Sequence, residues 1–231
     1  NAAESGSLKM TARVVAAHNI TLSSQLDAPV LKVAREGSRL QKGDVVALLD
    51  TEQLSFELKQ SEALLRYYAK EIDISNKKVK RLSVLREKNS ASQEAFETAQ
   101  LQLWAAQRNH QFNQQKADSV KDLIGKATIT APFDLVVTKR ISQSHEYVSK
   151  GTAMVAVSSI SQLQIIGTVA NPLVSRIVMG AQLSASFGAE QIDTTVSQLY
   201  PLTSQQNTPY EFRAELPAGW PIGTSLTVLL P

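Results

Sequence analysis

Residues 51–123 read TEQLSFELKQSEALLRYYAKEIDISNKKVKRLSVLREKNSASQEAFETAQLQLWAAQRNHQFNQQKADSVKDL, and their periodicity decides the fold. Leu54, Leu58, Leu65, Tyr68, Ile72, Val79 and Leu82 recur at alternating steps of three and four, with Ser61 and Ser75 in the two gaps. That spacing is the seam of a coiled-coil helix. A second seam follows through Ser92, Phe96, Ala99, Leu103, Ala106, His110, Asn113, Ala117, Val120 and Ile124. The polar run Glu87-Lys88-Asn89-Ser90-Ala91 between the seams turns the chain, so the pattern predicts two antiparallel arms of one hairpin. Each arm is roughly 35 residues, on the order of 50 Å at about 1.5 Å per residue, and well beyond an ordinary globular helix. Neither arm contains Gly or Pro, and both are rich in Gln, Glu, Lys, Ala and Leu, so intrinsic propensity agrees with the seam. A two-helix rod is too narrow to be a core. It is a device for reaching something.

Outward from the rod the pattern changes to short strands. Before it, Ala28 to Asp50 carries apolar stretches separated by Gly37 and Lys42-Gly43, which predict small antiparallel strands with tight turns. After it, Ala131-Pro132 opens a second such region, Val136 and Val137 make a strand, and Val148 to Val157 mirrors Leu40 to Leu49 around Lys150-Gly151. A motif repeated on both sides of an insertion folds as two halves of one small β-sandwich, with the hairpin emerging from the turn that joins them.

Farther out, Lys9 to Leu22 reads as one strand, rich in Val, Ile, Thr and Ala. Strands are expected through Leu163 to Val169, Gln182 to Phe187, Thr195 to Leu199, Tyr210 to Leu216 and Gly223 to Leu230. Asn171 to Val178 suggests a short helix, with Asn171 as cap and Pro172 at the first helical position. The expected fold is therefore α+β, elongated and multi-module. A long antiparallel coiled-coil hairpin (51–123) is inserted in a β-sandwich split over 23–50 and 124–159, followed by a small antiparallel β-barrel of 160–231 that 8–22 completes.

Composition narrows the function classes. With 231 residues, 43% hydrophobic and 19% charged, the chain is globular and long enough for two small modules besides the rod. There is no cysteine, which excludes disulfides and thiolate metal sites. A net charge of +3 implies no global polyanion binder, and so no nucleic-acid partner. The positive charge gathers where the first arm ends: Lys77, Lys78, Lys80, Arg81, Arg86 and Lys88 stand against the single acid Glu87. This is either a solvated coiled-coil face or a basic tip that meets an acidic partner. No apolar run approaches the length needed to span a bilayer.

The whole layout resembles the periplasmic adaptors, or membrane fusion proteins, of the HlyD-like family, which serve tripartite efflux pumps such as the resistance-nodulation-division systems, and type I secretion. The resemblance covers nearly the whole chain. It rests on a split lipoyl-like motif, Glu36-Gly37 and Lys42-Gly43 in one half, Ala131-Pro132-Phe133-Asp134 and Lys150-Gly151 in the other, with the hairpin between and the barrel after. The most specific piece is the family's channel-binding signature, an Arg, a Leu four residues on and a Ser seven further, which Arg81, Leu85 and Ser92 satisfy. The resemblance implies that these three residues contact the periplasmic end of a TolC-type outer-membrane channel. Read from the residues alone, Leu85 closes the seam and Ser92 caps the descending arm equally well; of the three, Arg81 is the least easily explained by folding.

The resemblance also implies an inner-membrane transporter as second partner, a hexameric ring of copies, and a periplasmic location facing the inner membrane, through an anchor outside this sequence or through the partners. Two departures stand out. Asp134-Leu135-Val136-Val137 replaces the family's Asp-Gly-Val-Val, and the membrane-proximal domain that many relatives build from both termini is not found, which leaves a trimmed chain or a shorter adaptor as readings.

Other classes fit worse. A lipoyl or biotin carrier needs a modifiable Lys in the turn joining its halves, where this chain has Asp50-Thr51-Glu52. His18, His110 and His145 have no metal-ligand spacing, no phosphate loop or nucleophile elbow occurs, and Met10, Met154 and Met179 are isolated, so no catalytic residue, cofactor or metal is expected. A coiled-coil scaffold unrelated to transport is the remaining alternative.

Overall fold

The computed structural model describes residues 8–203 and 208–230. Strand β1 (Leu8–Ala16) is followed, after a bend at Ala17 and His18, by β2 (Asn19–Ser23). The expected single strand is thus two, and they belong to different sheets, against the expectation that residues 8–22 all join the barrel. The break is held by hydrogen bonds rather than by a turn residue: Ala17 N donates to Gln162 O (2.9 Å), Ser159 N to His18 O (2.9 Å) and His18 N to Ser159 Oγ (3.2 Å).

Next come β3 (Ala28–Val33), β4 (Arg39–Leu40) and β5 (Val45–Leu49), then α1 (Glu52–Glu87) and α2 (Gln93–Lys126). The second arm runs three residues past the expected end at 123 and takes Gly125 into its last turn. After it follow β6 (Thr128–Thr130), β7 (Leu135–Arg140), β8 (Tyr147–Val148) and β9 (Ala153–Ser159). These strands form two four-stranded sheets, β2-β9-β7-β4 and β6-β5-β3-β8. The two orders are the same once each element is replaced by its counterpart in the other half. Each half keeps its two central strands together and lends its first strand and its two-residue strand to the other half's sheet: Asn19 faces Ser158 and Arg39 faces Val136 in one, Thr128 faces Leu48 and Ala28 faces Val148 in the other.

One core lies between the sheets, with Val30, Val46, Leu49, Leu135, Val137, Met154 and Val157 almost fully buried. Burying each such side chain contributes about 1.5–3 kcal/mol. The Leu135 departure resolves here. Leu135 opens β7 with its side chain in the core, 0% exposed, and is not among the residues of positive φ, so no glycine turn is needed at that point.

The remaining strands are β10 (Leu163–Val169), β11 (Gln182–Phe187), β12 (Glu190–Pro201), β13 (Tyr210–Leu216) and β14 (Ser225–Leu230). With β1 they close a barrel in the order β1-β10-β13-β12-β11-β14. Closure removes exposed sheet edges. Phe212 fills the interior against Gly167, its direct partner on β10, where an added Cβ would stand 2.4 Å from the phenyl Cζ. Only glycine lets the ring lie on the backbone there. The expected helix after β10 is a 3-10 turn (Asn171–Arg176) capped at Ala170 rather than Asn171, with no side-chain cap bond. On the barrel wall Tyr200 donates to the Glu211 carboxylate, which raises the phenol above its ordinary pKa, and Arg213 Nη2 holds the same carboxylate at 3.1 Å.

Candidate docking surface at the hairpin tip

The rod is built as its seam dictates. Ser61 and Ser75 are buried on α1 and face Ala99, Leu103, Ala106, Asn113, Ala117 and Val120 on α2, so small side chains let the arms approach closely. Asn113 satisfies its buried amide by donating to Asn109 O (2.9 Å). Two contacts tie the arms across their flanks, Lys78 Nζ to Gln102 Oε1 (2.9 Å) and Lys121 Nζ to Glu62 Oε1 (3.7 Å).

At the tip, α1 ends at Glu87 and the turn runs over 88–92. Asn89 takes φ 52°, a left-handed conformation that Asn tolerates, and Ser90 N returns to Leu85 O (2.7 Å). Ser92 caps α2, its hydroxyl accepting from Ala95 N (3.1 Å). That bond satisfies one of the free amides at the helix start. Leu85 does not close the seam. The alternating spacing passes from Leu82 to Arg86, and the Arg86 guanidinium lies over the Phe96 ring at 4.4 Å while Nη1 donates to Gln93 Oε1 (2.9 Å). Leu85 is half-buried beside the seam.

This sorts the basic cluster into two sets. Lys77 pairs with Asp73 (2.8 Å), whose carboxyl is held below its usual pKa by the hydrogen bond from that ammonium. Lys78 is bound to Gln102, and Arg86 is turned onto Phe96. Lys80, Arg81 and Lys88 are exposed, and their side chains make no hydrogen bond or ion pair among the described residues. Of the three signature residues, Arg81 is thus unpartnered, Leu85 half-covered, and Ser92 exposed with its oxygen engaged in the cap. Arg86 is the tip residue whose seam position the sequence reading leaves inside the basic cluster. Continuing the step of four from Leu82 assigns it to the seam.

The histidines are dispersed. His18 stacks on Phe133 (5.3 Å between centroids), His110 is half-buried on the α2 seam, and His145 sits in a turn at φ 72°. Met154 is core, whereas Met179 is 69% exposed.

No family model matches the chain, and no curated protein matches it in sequence. Solved structures do match. A membrane fusion protein of Streptococcus pneumoniae superposes with TM-score 0.77 at 12% identity, over 97% of this chain and 98% of that one. MacA of Actinobacillus actinomycetemcomitans gives TM-score 0.71 at 16% identity, covering 97% of this chain and 78% of that one. ZneB of Cupriavidus metallidurans gives TM-score 0.57 at 13% identity, with 97% of each chain covered. At these identities the likeness is one of fold.

Proposed function

We propose that this chain, which has the fold of the membrane fusion proteins, is a non-catalytic periplasmic adaptor that bridges an inner-membrane transporter and a TolC-type outer-membrane channel in a tripartite export system. The two-sheet unit is the lipoyl-like module, residues 51–126 are the reaching arm, and the barrel leans on the transporter. Copies assemble side by side in a hexameric ring. Among the described residues no helix is long and apolar enough to cross a membrane.

The observation that carries this reading is Arg81. It is an exposed guanidinium near the end of a long rod, with no partner among the described residues, while its neighbours Lys77, Lys78 and Arg86 are all engaged. An unengaged planar fork matches carboxylates or backbone carbonyls of another protein. Leu85 supplies an apolar contact beside it, and Ser92 a hydroxyl on the facing arm. Lys80 and Lys88 add attraction that salt screens over about 8–10 Å at physiological ionic strength.

The test is capture of a TolC-type channel by the immobilised chain. Wild type retains the channel, Arg81→Asp loses at least about tenfold in affinity with unchanged helical circular dichroism, and capture falls as salt rises. Capture indifferent to Arg81→Asp would return the chain to the scaffold reading.

A further inference from the structure

The two halves of the two-sheet unit are equivalent in path, and one of them has a neighbour that the other lacks. Asp27 accepts from Lys150 N as Asp134 accepts from Lys42 N, and beside these carboxylates Pro29 pairs with Tyr147 as Val136 pairs with Arg39. After β5 the chain leaves the sheets for α1, as after β9 it leaves them through Ile160 for β10. Around Val136, Arg39 and Ile160 the site is covered from within: the loop between β13 and β14 brings Trp220, Pro221 and Ile222 over it, and the cavity left between is about 480 Å³. The equivalent place in the other half is an open cleft of about 670 Å³, walled by Pro29, Leu54, Phe56 and Tyr147. Phe56 and Tyr147 are 66% and 68% exposed. Two large rings uncovered at one cleft mark an interaction site.

The charges narrow what fits. Asp27, Asp50 and Glu52 also line the cleft, and among the described residues no Lys, Arg or His does. Asp27 Oδ1 and Asp50 Oδ1 each accept one backbone amide, from Lys150 and from Glu52. Among the described residues none of the three carboxylates forms an ion pair. The positive end of α1, equivalent to about half an elementary charge, offsets only part of them and leaves the cleft acidic.

We infer that the cleft receives a protruding basic loop of a partner protein, one that carries an aromatic or branched aliphatic side chain next to Lys or Arg. The occupant of the equivalent place is itself a loop, with a ring, a proline and a branched chain in Trp220, Pro221 and Ile222, which favours a polypeptide over a small molecule. The apolar side chain enters between Phe56 and Tyr147. The cation meets Glu52 and the second oxygens of Asp27 and Asp50, and the aromatic faces add to its attraction. This chain's own loop of that kind, at Trp220, already sits against the other half and carries no cation, so the occupant is another protein rather than a second copy. The cleft lies at the base of the rod, the opposite end from Arg81, and its occupation is independent of channel docking at the tip.

The test uses the full chain and a head-to-tail cyclic peptide, Lys-Gly-Trp-Pro-Ile-Gly-Lys, with the same ring bearing Glu in place of both Lys as control, by titration calorimetry. The basic ring should bind saturably at one site, at least about tenfold tighter than the acidic ring. Phe56→Ala should weaken it at least about fivefold, as loss of an aromatic anchor does. Glu52→Gln should weaken it by a smaller factor, and Arg39→Ala, on the covered half, should leave it unchanged. Phe56 and Glu52 are exposed, so the unfolding midpoint of each variant should match wild type. No saturable binding, an acidic ring bound as well as the basic one, or a Phe56→Ala chain that binds as wild type does overturns the inference. Self-association of the wild-type chain in sedimentation that Phe56→Ala abolishes would give the cleft to a second copy and overturn it equally. No channel is present in this experiment, so its failure beside intact channel capture strikes the cleft alone, and the reverse strikes the docking alone.

Discussion

The two-sheet unit and the rod are joined at Asp50 and Ala127, yet they treat their side chains in opposite ways. The unit is closed on itself. Its halves clasp each other through matched bonds: Asp27 Oδ1 accepts from Lys150 N (2.8 Å) as Asp134 Oδ1 accepts from Lys42 N (2.9 Å). Gly151 N donates to Ser24 O as Gly43 N does to Ala131 O, both at 2.8 Å. The rod is open. It buries serines and alanines in its seam and leaves Tyr67, Ile74, Trp104 and Phe112 in solvent. Stability resides where large side chains point inward, and recognition where they point out.

Substitution breaks or sharpens that contrast most strongly at the cores. Leu135→Ala, at a site 0% exposed, should cost about 2–5 kcal/mol in urea unfolding, the transfer and cavity terms together. Tyr67→Ala, at 61% exposure, should change stability by less than about 0.5 kcal/mol. A Tyr67→Ala loss approaching that of Leu135→Ala would mean that the exposed face serves folding after all, and the division between the modules would fail.

The clasp offers a finer version of the same test. Asp27→Ala and Asp134→Ala each remove one side-chain acceptor from a backbone amide of the opposite half, worth about 1 kcal/mol apiece. Because the two bonds are counterparts, the losses should agree within about 0.5 kcal/mol, near the scatter for independent sites. Clearly unequal losses in denaturant midpoint would show that the halves are alike in backbone but not in load.

The sequence carried most of this architecture, for identifiable reasons. The rod was legible because its seam repeats over nine turns or so and nothing in the loop competes with it. The matching halves of the two-sheet unit were legible through Lys42-Gly43 and Lys150-Gly151, since glycines at φ 93° and 90° mark equivalent turns. What escaped was set by tertiary bonds with no local signature. The strand break at Ala17 and His18 has no glycine or proline; it exists because Gln162 and Ser159 take up its backbone groups. Asp27 has no local signature, because the Lys-Gly turns mark the repeat while the carboxylates that clasp them lie far off in the chain. At the tip, Ser92 is legible as the cap of α2, whereas the run of basic residues hides Arg86, which the seam turns onto Phe96.

The smallest expected effect lies at a pair of turns where symmetry of backbone meets difference of residue. Gly37 precedes β4 at φ 78°, and His145 stands in the corresponding turn before β8 at φ 72°. Both are left-handed, and only one is glycine. A side chain there costs about 1–2 kcal/mol of local strain, part of which is offset because a non-glycine residue has less freedom to lose on folding. His145 N also donates to Val30 O (2.8 Å) as Gly37 N donates to Val137 O (2.8 Å), so the backbone bond that holds each turn is the same. Gly37→Ala should therefore lower stability by about 1 kcal/mol, while His145→Gly should shift it by less than about 0.5 kcal/mol in either direction. A His145→Gly loss larger than that would mean the imidazole itself supports the turn, and the two halves would then be equivalent in path but not in what fixes it.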